Sequence, residues 1–202
     1  MNPDATYAIK LEKITITYNV FESIITIFAG VSAGLISLLG FGIDSGIEMI
    51  TALLVLTHLT ATLNGRMASE ETEKRLLKII ALTFFALAGF LIIDSMHKLL
   101  TNSKPESSFI GLCATAFSVL FMPWLAKRKL NIGQKIGSSL LIADAAETKL
   151  CGWLALSTFT GLLAFHFLHL AWLDSATSLI IAVFAVNEGR EAWEGELVCE
   201  DD

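Results

Sequence analysis

The sequence predicts an all-α integral membrane protein of six transmembrane helices with both termini cytoplasmic. Three observations carry this: an apolar composition, six apolar runs of spanning length, and an uneven placement of lysine and arginine. Of the 202 residues, 54% are hydrophobic and 17% charged, against about 25% charged in an ordinary soluble domain. A span needs roughly 20 mostly apolar residues, so six helices with short loops use nearly the whole chain. One membrane domain over residues 1–190 is expected, followed by an acidic cytoplasmic tail at 191–202.

The apolar runs lie near residues 15–38, 41–63, 77–99, 108–126, 136–166 and 171–188. Turn chemistry separates them: Gly40 and Gly42 after the first, NGRMASEETEKR at 64–75, TNSKPESS at 101–108, and AKRKLNIGQK at 126–135. Lys10, Lys13, Arg66, Lys74, Arg75, Lys78, Lys127, Arg128, Lys129 and Lys135 flank the N-terminus or the even-numbered loops, while the odd-numbered loops carry only Lys98 and Lys104. Positive charge stays on the cytoplasmic side, which orients both termini inward.

The formal net charge of −6 is confined to one end, where Glu188, Glu191, Glu194, Glu196, Glu200, Asp201 and Asp202 face a single Arg190. No basic and aromatic surface of the kind a nucleic acid needs is present, so no such partner is expected. Cys113, Cys151 and Cys199 are far apart in sequence and suggest no disulfide framework. The N-terminus has no charged segment leading directly into an apolar core with a small-residue cleavage site, so a cleaved signal peptide is not expected.

Acids inside the apolar runs need a reason, because an aspartate at the centre of a membrane helix costs about 2.5 to 3.5 kcal/mol. The second run reads FGIDSGIEMITALL, which stacks Asp44 and Glu48 one turn apart on one helix face. The fifth reads SLLIADAAETKLCGW, where Glu147 and Cys151 have the same spacing and Asp144, one turn earlier, is a further candidate metal ligand. Two facing pairs would supply the four donors of a tetrahedral Zn2+ site, and a divalent ion would offset the carboxylate charge. The plainer reading is polar contact between helices, with Lys149 neutralising Asp144, Glu147 or Glu22. For Cys151 alone, packing is the commoner role, since a free thiol behaves as a small hydrophobe.

Asn19 and Glu22 lie three apart in the first run and fit either an ion path or a hydrogen-bonded pair. Asp94 with His97, and His166 with His169, sit at the outer ends of the third and fifth runs, where histidines more often face water. Asp174 opens the sixth run as a first-turn acid that suits the helix dipole. An intramembrane metalloenzyme would call for a dedicated general base, and no HExxH spacing is present. No enzymatic activity and no catalytic cofactor are expected.

The stretches NVFESIITIFAGVSAGLISLLGFGIDSGIEMITALLVL, SLLIADAAETKLCGWLAL and WLDSATSLIIAVFAVNEGREAWEG together resemble the membrane domain of cation diffusion facilitators. The resemblance covers nearly all six runs and is to a short branch lacking the cytoplasmic domain that most members carry after the sixth helix. It implies a donor pair on the second helix facing one on the fifth, here Asp44 and Glu48 with Glu147 and Cys151. It also implies efflux of a divalent cation, usually Zn2+, by alternating access, and proton exchange is chemically natural because metal binding requires deprotonated ligands. A homodimer in a plasma or bacterial inner membrane is implied as well. The chain departs from the family pattern at Glu147 and Cys151, where His and Asp are usual, and this bears on which metal is carried. A metal-binding membrane partner that does not transport is the alternative.

Overall fold

Six helices account for nearly all of the chain that the computed structural model describes, which is residues 3–33, 36–64, 70–101, 108–168 and 172–194; the side chains at 33, 36, 37, 70, 73, 165–168, 172–174 and 177 lie outside that description. They are α1 (Pro3–Ala33), α2 (Ile36–Leu63), α3 (Glu70–Thr101), α4 (Phe109–Ile136), α5 (Ser139–Leu168) and α6 (Trp172–Glu194). Among the described residues there is no strand. His169 and residues 195–202 lie outside the described residues, as do the side chains of His166 and Asp174.

The exterior is far more apolar than that of a soluble protein. Along α1 the residues turned outward are Phe21, Ile24, Phe28 and Val31, while Glu12, Thr15, Asn19, Glu22 and Thr26 are buried. Leu100, Phe109 and Leu120 are likewise more than three-quarters exposed. An apolar surface of this extent would be a liability in water and is the normal exterior of a chain solvated by lipid. By length and composition α1 to α4 can each cross a membrane; α5 is of similar length but carries Asp144, Glu147 and Lys149. The chain is a multi-pass integral membrane protein.

The helices pack chiefly as α1 with α2, α3 with α6 and α4 with α5. Further contacts of α1 with α4 and of α2 with α5 join four helices into one group, and α5 also touches α3 and α6. The polar interior lies within the group of α1, α2, α4 and α5. The α3–α6 pair flanks it through an apolar contact in which Phe84, Leu87, Ala182 and Ala185 are buried.

Two expected turns are helical. Gly40 and Gly42 lie inside α2, where the missing side chain lets helices approach: a Cβ at Gly42 would sit 2.6 Å from Thr26 Oγ1 and 2.7 Å from Ile27 Cγ1, and one at Gly40 would collide with the Phe90 ring. The Ser23 hydroxyl donates to the Gly42 carbonyl at 2.7 Å across the same contact. This is close packing of the kind small residues allow in membrane helices.

The basic segment at 126–135 also continues α4, because its apolar and small residues keep helical spacing: Leu125, Ala126, Lys129, Ile132 and Gly133 are buried, and Lys127 and Arg128 point outward. The chain turns only at Gly137, whose φ of 66° is left-handed. There the Gly137 N–H donates to Gln134 O at 3.2 Å and the Ser138 N–H to Gly133 O at 3.0 Å, closing the helix in a Schellman motif. At the other end of α4 the side chain of Ser108 caps the helix, accepting from Gly111 N at 3.1 Å.

α1 begins a dozen residues before the expected run, and its early turns pack on the end of α4. Lys135 Nζ lies 2.8 Å from Asp4 Oδ1, and Arg128 donates to Tyr7 Oη at 3.4 Å. α6 runs on to Glu194, past the boundary expected at 190.

Candidate metal centre

The interior is a polar column contributed by four helices. α1 supplies Glu12, Thr15, Asn19, Glu22 and Thr26, whose alternating steps of three and four keep them on one helical face. α2 supplies Asp44, Ser45, Glu48 and Thr51; α4 supplies Thr115, Ser118 and Lys129; α5 supplies Asp144, Glu147, Thr148 and Cys151, all buried. The polar groups sort into three levels.

At one level stands an ion triad. Lys129 Nζ contacts Asp144 Oδ2 directly and lies 3.5 Å from Glu12 Oε1, with all three side chains fully buried. Its third donor reaches Thr148 Oγ1 at 3.2 Å. An ammonium from α4 thus stands between two buried carboxylates from α1 and α5 and neutralises them in part. This corrects two expectations. Lys129 is not a flanking surface charge, and the cation beside Asp144 is Lys129, since Lys149 is exposed.

At the opposite level the Glu22 carboxylate is clasped by hydroxyls. Tyr18 Oη donates to its Oε1 at 2.7 Å, Ser45 Oγ lies 2.9 Å from its Oε2, and Ser118 Oγ also contacts Oε1. The clasp ties α1 to α2 and α4 and needs no ammonium. Hydrogen bonds to hydroxyls rather than an ion pair with Lys149 satisfy Glu22.

Between these levels α2 faces α5. Asp44, Glu48, Glu147 and Cys151 are each 3% exposed or less. The Cys151 thiol lies near the Asp44 and Glu48 carboxyls, while Thr51 approaches Glu147 and Thr148 approaches Glu48. Yet both oxygens of Glu48, Oδ2 of Asp44 and Oε2 of Glu147 have no hydrogen-bond partner. Among the described residues, no three His, Cys, Asp or Glu side chains are drawn together as tightly as in a metal-bound set. The arrangement is three carboxylates and a thiol along facing stretches of α2 and α5, the members of each pair one turn apart, with unpartnered carboxylate oxygens on both helices.

An unpaired carboxylate in a low-dielectric interior is strongly unfavourable, and three near one another compound the cost. Such a set favours a cation. Lys129 does not fill that role, because Glu12 and Asp144 hold it. The same ion pair sets Asp144 apart from the four central donors.

The sequence candidates outside this column lie elsewhere. Asp94 Oδ2 pairs with Lys98 Nζ at 2.6 Å on the same face of α3, and His97 is exposed. Two groups were not singled out from sequence, Glu12 and Lys129. Both stand at helical spacing from buried neighbours, Glu12 seven residues before Asn19 and Lys129 four after Leu125, and that spacing is the signal that finds them.

A sequence model described as the cation efflux transmembrane domain matches residues 76–195. The match spans most of α3 and all of α4 to α6, so it includes Glu147 and Cys151, while Asp44 and Glu48 lie before it. A relative, the manganese efflux system protein MneS of Bacillus subtilis (strain 168), is 26% identical over 117 residues, covering 57% of this chain and 39% of that protein. The aligned part is therefore well under half the length of that relative. With more than half of its residues matched, the chain belongs to the cation efflux transmembrane domain family.

Proposed function

We propose that the chain is a divalent cation efflux transporter working by alternating access, with Asp44, Glu48, Glu147 and Cys151 as ligands of the transported ion. The observation that carries this reading is the buried set of carboxylates between α2 and α5, in which both Glu48 oxygens and one oxygen each of Asp44 and Glu147 have no partner. Asp144 is left out of the ligand set, since Lys129 holds it. The family supports efflux over enzymatic chemistry, and no catalytic cofactor is proposed. The ion enters as substrate.

Zn2+ is the ion the family resemblance implies. The donors weigh against it: three carboxylates and no imidazole form an oxygen-rich set that suits harder ions such as Mn2+. A relative named for manganese efflux points the same way. We therefore propose Mn2+ as the preferred substrate, with Zn2+ carried less well. Carboxylates and thiol bind metal in their deprotonated forms, so proton exchange accompanies the cycle in this reading. The test is flux of Mn2+, Zn2+, Fe2+, Co2+ and Cd2+ into liposomes carrying the purified protein. Absence of flux for every ion sinks the proposal.

Cys151 is the one soft donor and should tune selectivity. Cys151→Ser is expected to weaken Zn2+ and Cd2+ binding several-fold more than Mn2+, and Cys151→Asp to shift the ranking further toward Mn2+. Calorimetry with each ion reads this out. If Cys151→Ala leaves affinity and ranking unchanged, the thiol only packs.

The proposed orientation places both termini in the cytoplasm, with residues 1–190 as one membrane domain and 191–202 as its cytoplasmic tail, in a plasma or bacterial inner membrane. Removing Lys129 from the count of loop cations leaves the asymmetry intact. A cysteine introduced at Lys104 should react with an impermeant thiol reagent from outside, and one at Arg128 only after permeabilisation; the reverse pattern overturns the topology. The chain is also proposed to act as a homodimer, which light scattering on the detergent-solubilised protein decides.

A further inference from the structure

Asn19 is fully buried on α1, and neither its amide oxygen nor its amide nitrogen has a hydrogen-bond partner. A buried amide with both ends unmet is unfavourable, so the position calls for an occupant or a reason. The helix register shows where the amide stands. Glu22 meets Ser45 at 2.9 Å and Ser23 meets the Gly42 carbonyl at 2.7 Å, which fixes α1 antiparallel against α2. One turn back along α1, from Glu22 to Asn19, matches one turn forward along α2, from Ser45 to Glu48. Asn19 and Glu48 therefore stand at one level, each buried and each with unpartnered polar atoms. The interior side of α1 is the same for Asn19 as for Glu12 and Glu22, which contact Lys129 and Ser118 of α4.

We infer that Asn19 is a further ligand or selectivity group for the transported divalent cation, offering its neutral carbonyl oxygen from α1 to an ion held by the acids of α2 and α5. The inference rests on the efflux reading and deepens it. A neutral oxygen adds a hard donor without adding charge, which favours Mn2+ over the more thiophilic Zn2+ and Cd2+. It also makes ion binding depend on the position of α1, so the ion would link three helices where the facing pairs alone link two.

The test compares wild type, Asn19→Leu, Asn19→Asp and Glu48→Gln as purified full chains, measuring melting temperature without metal and MnCl2 and ZnCl2 binding by calorimetry. A ligand role predicts that Asn19→Leu melts no lower than wild type, because an unmet buried amide has been replaced by an apolar group. Its Mn2+ affinity should fall about tenfold, with Zn2+ affected less. Asn19→Asp should bind Mn2+ more tightly than wild type. A lower melting temperature for Asn19→Leu would mean that the amide holds the fold together, and would overturn the inference. If wild type binds, Glu48→Gln loses binding, and both Asn19 variants bind as wild type, the inference fails while the efflux reading stands. No binding by wild type at all defeats both.

Discussion

Lys129→Met is expected to destabilise the protein by about 3–5 kcal/mol, the cost of removing one partner from a buried ion pair. The side chain is fully buried, contacts Asp144 and lies 3.5 Å from Glu12, so its loss strands two carboxylates from different helices. The length of methionine roughly matches the lysine stem, which isolates the effect of charge from that of volume. Thermal unfolding of the detergent-solubilised protein should show a lower midpoint for Lys129→Met, and Glu12→Gln combined with Asp144→Asn should restore much of it. That restoration is the informative result, because buried ion networks replaced whole are often neutral or better. A Lys129→Met protein as stable as wild type would mean that the ammonium does not carry the contact between α1, α4 and α5.

Much of this architecture is legible in the sequence, and the parts that are not share one cause. Hydropathy finds the six described helices, since apolar runs of about 20 residues stand out along the chain, and it singles out Asp44, Glu48, Glu147 and Cys151 as candidates because charge or thiol at helical spacing stands out against that background. It misjudges the ends. α1 and α4 extend together beyond the apolar runs, joined by Asp4 with Lys135 and by Glu12 with Lys129, and a scale that scores lysine as loop-forming cannot see a lysine paired with acids on two other helices. Gly40 and Gly42 mislead for a related reason, since the signal for a turn in water is the signal for close approach in a membrane. The partner of Asp144 was likewise out of reach: Lys149 is near in sequence, but Lys129 is near in space.

Asp44→Asn and Glu48→Gln are each expected to lower divalent cation affinity by more than the roughly 10–100-fold lost when a supporting group behind a metal ligand is removed, and to abolish flux in liposomes. The amides keep the shape of the side chains and remove the charge that draws the ion. Stability should move the other way. Both carboxylates are buried with unpartnered oxygens beside a third acid, Glu147, so neutralising either one relieves repulsion and desolvation, and the metal-free variants should melt at or above the wild-type temperature. A structural role for these acids predicts the opposite pair of results, a lower melting point with flux retained. The two readings thus separate on two independent measurements. Opposed signs for stability and activity are the mark of residues kept for ion binding at a cost to the fold. If Asp44→Asn and Glu48→Gln both retain wild-type affinity, the ion is bound elsewhere, and the facing pairs of α2 and α5 are no more than a polar seam between helices.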